Sequence, residues 1–257
     1  TTSANLSWTA GATEAAWNLE YGATGFTLGA GAMLGITENP FTHVGLTANT
    51  SYDFYIQADC GGNGTSAWVG PFTFTTLCVS EAEFSENFDS VTTPQLPDCW
   101  SELISSGVSD YAYVETSTSA DASAPNGVKL YNASSTTGDI ILVSPPVSNL
   151  ASNTHRLKLQ ARNTSSTQDI QIGTLSDPSD SSTFTLLETV DINTTLAEYV
   201  IDFSSYTGTD IYIGFRRLTT STYTSVYLDD IIWEEIPSTP PGCASNFSDT
   251  LDTSCGN

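Results

Sequence analysis

Apolar residues recur at every second position in short runs along this chain. Residues 5–8 read Asn-Leu-Ser-Trp and residues 16–21 read Ala-Trp-Asn-Leu-Glu-Tyr, an alternation that predicts two strands with one face toward a core. Residues 25–29 read as a hairpin region, and 53–58 and 70–76 as further strands. The pattern returns at 84–88, 128–131, 140–143, 156–161, 170–174, 184–190, 198–203, 211–216 and 226–233, with turns rich in Ser, Asp, Asn and Pro between them. No helical period survives more than a turn or two, so the sequence predicts an all-β chain. A Trp on one strand followed by a Tyr on the next suits the core of a two-sheet sandwich.

At 257 residues the chain exceeds the usual size of one sandwich, so two unequal domains are expected. The Pro-rich stretch 237–241 marks a linker near the C-terminal end.

The motifs narrow this further. Leu46, the turn residues Thr47 to Thr50, and Tyr52 ahead of the strand 53–58 resemble the tyrosine corner of fibronectin type III domains. That resemblance covers residues 1–77 and is similar to the form found in Bacteroidetes surface proteins. It implies a sandwich whose first strand is missing, because Thr1-Thr2-Ser3 leads almost directly into the Trp8 strand. Residues 78–89 with Leu96-Pro97-Asp98-Cys99-Trp100, and the close Leu228-Asp229-Asp230-Ile231, resemble MAM domains and the cleaved-adhesin domains of Bacteroidetes. The resemblance implies a larger two-sheet jelly roll over residues 78–236. Residues 237–257 then read as the linker and the first strand of a following fibronectin-like module. One reading is a unit of a tandem array, in which Asn257 runs into the Thr1 of another copy. The bland alternative is that the two ends are arbitrary boundaries.

The formal charge is −23, and the six basic residues all lie between Lys129 and Arg217. A nucleic-acid backbone is repelled by such a surface, which excludes that class of partner. Carboxylates in this excess need solvent, salt or a cation, and Ca²⁺ is the expected cation outside a cell. No apolar run approaches the length of a membrane span. The chain opens without Met or a signal peptide, which reads as a processed fragment.

Five cysteines with no metal-type spacing point to disulfides in an oxidising compartment, extracellular or at the cell surface. The MAM resemblance implies a Cys78–Cys99 bridge. Cys60 has no clear partner in its own module. Cys243 either meets the counterpart of Cys60 in a neighbouring copy or pairs with Cys255, and the sequence leaves both open.

In the strand 84–88 the period of two places Glu86 on the face shared with Phe84 and Phe88. The MAM-like resemblance places the opening and closing strands together, so Glu86, Asp229 and Asp230 are candidate ligands for a structural Ca²⁺. The competing reading is that Glu86 accepts backbone hydrogen bonds or meets an Arg. Asp177 and Asp180 form a second acidic cluster that reads as a solvated turn. Ser90 and Thr250, in Asp-Ser-Val and Asp-Thr-Leu, match an O-glycosylation pattern of this bacterial group.

No catalytic signature is present: the chain lacks a nucleophile elbow, a zinc-protease helix motif and a P-loop, and its two histidines lie in different predicted domains. Residues 29–35, with three glycines, superficially match a dinucleotide loop but read as a turn in a hairpin region. Tyr111, Tyr113, Tyr206, Tyr223 and Trp68 are candidate sugar-contacting aromatics. The expected function is a non-enzymatic structural or adhesive repeat, partnered by further copies of itself and by surface glycans. The alternative is a carbohydrate-binding accessory region of a secreted polysaccharide hydrolase.

Overall fold

The computed structural model describes residues 2–11, 14–105, 108, 111–119, 122–134, 137–165, 169–218 and 221–237. Cys243, Thr250 and Cys255 lie outside the described residues. The first part holds β1 (Ser3–Leu6), β2 (Trp17–Ala23), β3 (Ala32–Ile36), β4 (Phe41–Val44), β5 (Ser51–Ala58) and β6 (Val69–Thr75). These form a two-stranded sheet, β1–β4, facing a four-stranded sheet in the order β3–β2–β5–β6, all antiparallel.

Alternation decides what lies between these sheets. Leu6, Trp17, Leu19, Ile36 and Ile56 are buried, with Trp8 packed edge-on to Trp17 at 5.3 Å. The Thr47 amide donates to the Tyr52 hydroxyl at 3.0 Å, across the turn that leads into β5.

The reading of 29–35 as a turn needs correction. The turn ends at Gly31, and β3 begins at Ala32 and pairs with β2. The buried Glu20 carboxylate holds it there, accepting from the Gly29 and Gly31 amides at 2.7 Å each. A side chain at position 31 would put its Cβ 2.5 Å from the Phe26 ring and 2.7 Å from the Tyr21 carbonyl, so only glycine fits. The glycine spacing therefore serves a buried carboxylate.

The second part holds β7 (Phe84–Glu86), β8 (Ser101–Ile104), β9 (Tyr113–Ser117), β10 (Gly127–Asn132), β11 (Ile140–Val143), β12 (His155–Asn163), β13 (Ile170–Leu175), β14 (Thr185–Val190), β15 (Ala197–Asp202), β16 (Tyr212–Arg217) and β17 (Thr224–Glu235). One sheet runs β15–β12–β17–β10–β9, and the other β14–β13–β16–β11–β8. β17 is long enough to share one edge between two partners, β10 along its first half and β7 along its second. The opening and closing strands thus lie together, with Glu86 opposite Ile231.

Between the sheets lies the main core, which includes Phe88, Phe203, Phe215 and Trp233 with no exposed surface. Fully burying each such side chain contributes roughly 2–3 kcal/mol. Cys78 and Cys99 are disulfide-bonded, with their Cα atoms 6.0 Å apart. That bond fastens the entry of the second sandwich beside Trp100, which packs on Phe84, Phe88 and Phe215. Among the described residues no helix is long and apolar enough to cross a membrane.

Candidate functional site

The three carboxylates singled out as a cation site accept hydrogen bonds, Asp229 and Glu86 from backbone amides and Asp230 from a hydroxyl. Asp229, fully buried, accepts from the Ala122 amide at 2.6 Å, the Ser123 amide at 2.9 Å and the Asp230 amide at 2.7 Å. Burial pushes its pKa up to about 6, against the pull of these three hydrogen bonds. Asp230 sits in the left-handed region (φ 45°) at a register shift between β12 and β17, and accepts from the Ser123 hydroxyl at 2.9 Å. Together the two aspartates tie the 122–123 backbone to β17.

Glu86 instead accepts from the Phe88 amide at 2.6 Å, and burial raises its pKa. Among the described residues no three His, Cys, Asp or Glu side chains gather as a metal-binding group. Asp177 and Asp180 accept from Ser179 and Ser182 within a tight turn. Ser90 is exposed just after β7. Cys60 is exposed and has no disulfide partner among the described residues.

The tyrosines are placed differently. On β10 the alternation buries Val128 and Leu130 and turns Lys129 and Tyr131 outward. On β9 it buries Val114 and turns out Tyr113. The register sets Tyr113 directly opposite Tyr131, with ring centroids 5.0 Å apart and planes 31° from parallel. The Lys129 ammonium lies 5.1 Å from each ring centroid and donates to the Tyr113 hydroxyl at 2.8 Å. Burial works against its charge, but the Tyr113 bond, the phenols of Tyr113 and Tyr227 and the carboxylate of Glu115 hold its pKa above the ordinary value.

Tyr111 and Tyr223, each 74% exposed, stand at the rim of this pair. With Tyr113, Tyr131, Ala133 and Ser134 they line a hollow of about 540 Å³, within the size range of small-ligand sites. Further along the same sheet face, the Arg162 guanidinium lies 4.0 Å over the Tyr227 ring.

Tyr223 is held firmly. Its backbone is left-handed (φ 56°), and its amide donates to the Asn132 carbonyl at 2.8 Å and to the Ala133 carbonyl at 3.1 Å. Beneath it the fully buried Arg217 donates to the carbonyls of Leu218, Ser221 and Thr224 and to the Thr224 hydroxyl. A bulky residue kept in a sparsely populated conformation, with its ring in solvent, marks a position that packing alone does not explain.

Of the aromatics expected to meet sugar, Tyr111, Tyr113 and Tyr223 come together. Tyr206 does not: it is buried against Phe203, and its hydroxyl accepts from the Asp210 amide. Trp68 is half-buried in the first part of the chain. Sequence reasoning missed Tyr131 and Lys129, although the alternation in 127–132 carries the signal.

No family model matches this sequence, and no curated protein does. Among solved structures the chain is similar to the K2 cleaved adhesin domain of Lys-gingipain, with 19% identity over 60% of this chain and 99% of that one, at a TM-score of 0.49. It is similar also to the K1 cleaved adhesin domain of Lys-gingipain from Porphyromonas gingivalis W83, with 16% identity over 61% and 100%, at a TM-score of 0.48. A third is a CBM22-1 xylan-binding domain from Paenibacillus barcinonensis, with 8% identity over 61% and 95%, at a TM-score of 0.40.

Proposed function

We propose that this chain is a non-catalytic, extracellular binding region whose second sandwich holds a saccharide on the face formed by Tyr111, Tyr113, Tyr131 and Tyr223. The observation that carries the reading is the half-buried cross-strand Tyr113–Tyr131 pair with the Lys129 ammonium 5.1 Å from each ring centroid, flanked by the exposed ring of Tyr223 on a held backbone.

A pyranose ring presents an apolar C–H face and a rim of hydroxyls. Tyrosine meets both, with a flat apolar ring and a phenol at its edge. Lys129 adds a cation whose hydrogen bond goes to a phenol, so its remaining N–H bonds suit hydroxyl oxygens. No step of bond making or breaking is required. Each aromatic contact contributes about 1 kcal/mol, which gives weak single-site binding. Adhesion then rests on several such sites acting together.

The test is a glycan array probed with the full chain, its Tyr131→Ala variant and its Tyr223→Ala variant. Binding by the native chain, lost in both variants, is expected. A native chain that binds no saccharide, or variants that bind as well, overturns the reading. A second reading, a structural repeat joined to other copies, is favoured by the open edge of β1.

A further inference from the structure

The first sandwich is unevenly closed. Among the described residues β1 pairs with β4 along one edge and with no strand along the other. A groove of about 540 Å³ between residues 7–9, which follow β1, and β6 is lined by Trp8, Trp17, Phe54, Ile56, Val69 and Phe72. Val69 and Phe72 lie half in solvent, 54% and 46% exposed. The Trp8 indole N–H is buried with no acceptor among the described residues. An unpaired edge beside an apolar trench is a template for one more strand: the backbone bonds to the edge, and alternate side chains fill the trench.

Residues 243–255 have the pattern that such a strand needs. Cys243, Phe247, Leu251 and Cys255 all fall on odd positions, while the even positions carry Ala, Asn, Ser, Thr, Asp and Ser. In an extended strand the two large apolar side chains share one face. Asp249, between them on that face, brings an acceptor of the kind that the Trp8 indole lacks.

Laid antiparallel to β1, the strand starts at the Trp8 end. There Cys60, exposed and without a disulfide partner among the described residues, sits in an adjoining hollow with Glu14, Ala16 and Asn63. Cys243 at the head of the strand then meets Cys60. Within one chain the six residue-to-residue steps from Pro237 to Cys243 reach at most roughly 20 Å. That is no more than the length of β6, which runs away from this end toward β7 and the part of β17 that delivers Pro237. We infer that residues 243–255 of a second copy add to β1 as a third strand and close the first sandwich in trans. Each copy both gives and receives a strand, so the contact is head-to-tail and propagates into an open chain of copies.

The thiol pair makes the contact countable. With oxidised glutathione as the oxidant, Cys60 and Cys243 lose two protons and two electrons to form one disulfide, and glutathione leaves as two thiols. Full chains labelled with ¹⁴N and ¹⁵N are mixed, equilibrated in a glutathione buffer, run on a non-reducing gel and mapped by mass spectrometry. The expected result is a ladder that grows with protein concentration, with Cys60–Cys243 peptides of mixed isotope. Phe247→Asp with Leu251→Asp should lower the ladder at least tenfold with thermal unfolding of both sandwiches unchanged. A free peptide of residues 243–257 should block the native ladder, while one with Phe and Leu moved to even positions should not. A monomer at all concentrations, Cys243–Cys255 pairs alone, same-isotope Cys60–Cys243 pairs alone, or a ladder indifferent to Phe247 and Leu251 overturns the inference.

Discussion

The two sandwiches of this chain solve the same problem with unequal means. The second places Trp233, Phe203, Phe215 and Phe88 wholly out of water between two sheets, and a disulfide fastens its entry. The first relies on Leu6, Trp17, Leu19, Ile36 and Ile56, and leaves Val69 and Phe72 half in solvent beside an unpaired edge. A closed core is a scaffold on which surface positions can be held still, as Arg217 and the hairpin hold the backbone at Tyr223. A less closed core leaves apolar surface and an unpaired strand edge exposed among the described residues.

Substitution within each core gives the sharpest contrast. Trp233→Ala removes a ring packed on Phe203 and His155 and frees Asn149 from the indole N–H. It should cost about 4 kcal/mol, against about 3 kcal/mol for Leu19→Ala, and calorimetry should show each variant lowering a different transition. One shared transition would break the comparison. Replacing Cys78 and Cys99 by Ala should cost the second sandwich about 3 kcal/mol and leave the first unmoved, as denaturant titration with separate probes would show.

Asp229→Asn comes next. At pH 7 it turns an amide N–H₂ toward backbone donors and should cost about 2 kcal/mol. The pH dependence has a definite sign. The folded pKa, raised to about 6 from 3.8, means that the folded state takes up this proton first. The stability linked to that proton is complete below the unfolded value and lost as pH rises through about 6. The native chain should therefore lose stability relative to Asp229→Asn over that window, and the difference between thermal melts of the two from pH 3 to 8 should carry that slope. The smallest effect on folding is expected for Tyr223→Ala, within about 0.5 kcal/mol because the ring is exposed, although it removes saccharide binding.

How far the sequence reached depends on where burial sets the alternation. Strands such as β12 and β17 bury side chains at nearly every core-facing position, and their pattern was readable. β8 buries Leu103 alone, and β4 buries His43 alone, so neither rises above its surroundings in hydropathy. β3 was masked by glycines whose role, freeing amides for the buried Glu20, depends on a contact across the hairpin.

The tyrosine face was half legible for a similar reason. Tyr111, Tyr113 and Tyr223 stand out as aromatics in polar surroundings. The local alternation turns Tyr131 outward, but only the register between β9 and β10 sets it opposite Tyr113. Glu86 shows the reverse case. The period of two placed it toward the core, but Phe88 turns left-handed (φ 59°) and its amide takes the carboxylate.

The most direct measurement is an aromatic ¹H–¹³C NMR titration of the full chain with an oligosaccharide selected on the array. Shifts confined to the rings of Tyr111, Tyr113, Tyr131 and Tyr223, with the groove aromatics Trp8, Phe54 and Phe72 unmoved, are the expected result. Shifts centred on the first sandwich, or none on the four tyrosines while the sugar binds, would contradict the assignment of ligand binding to the closed sandwich.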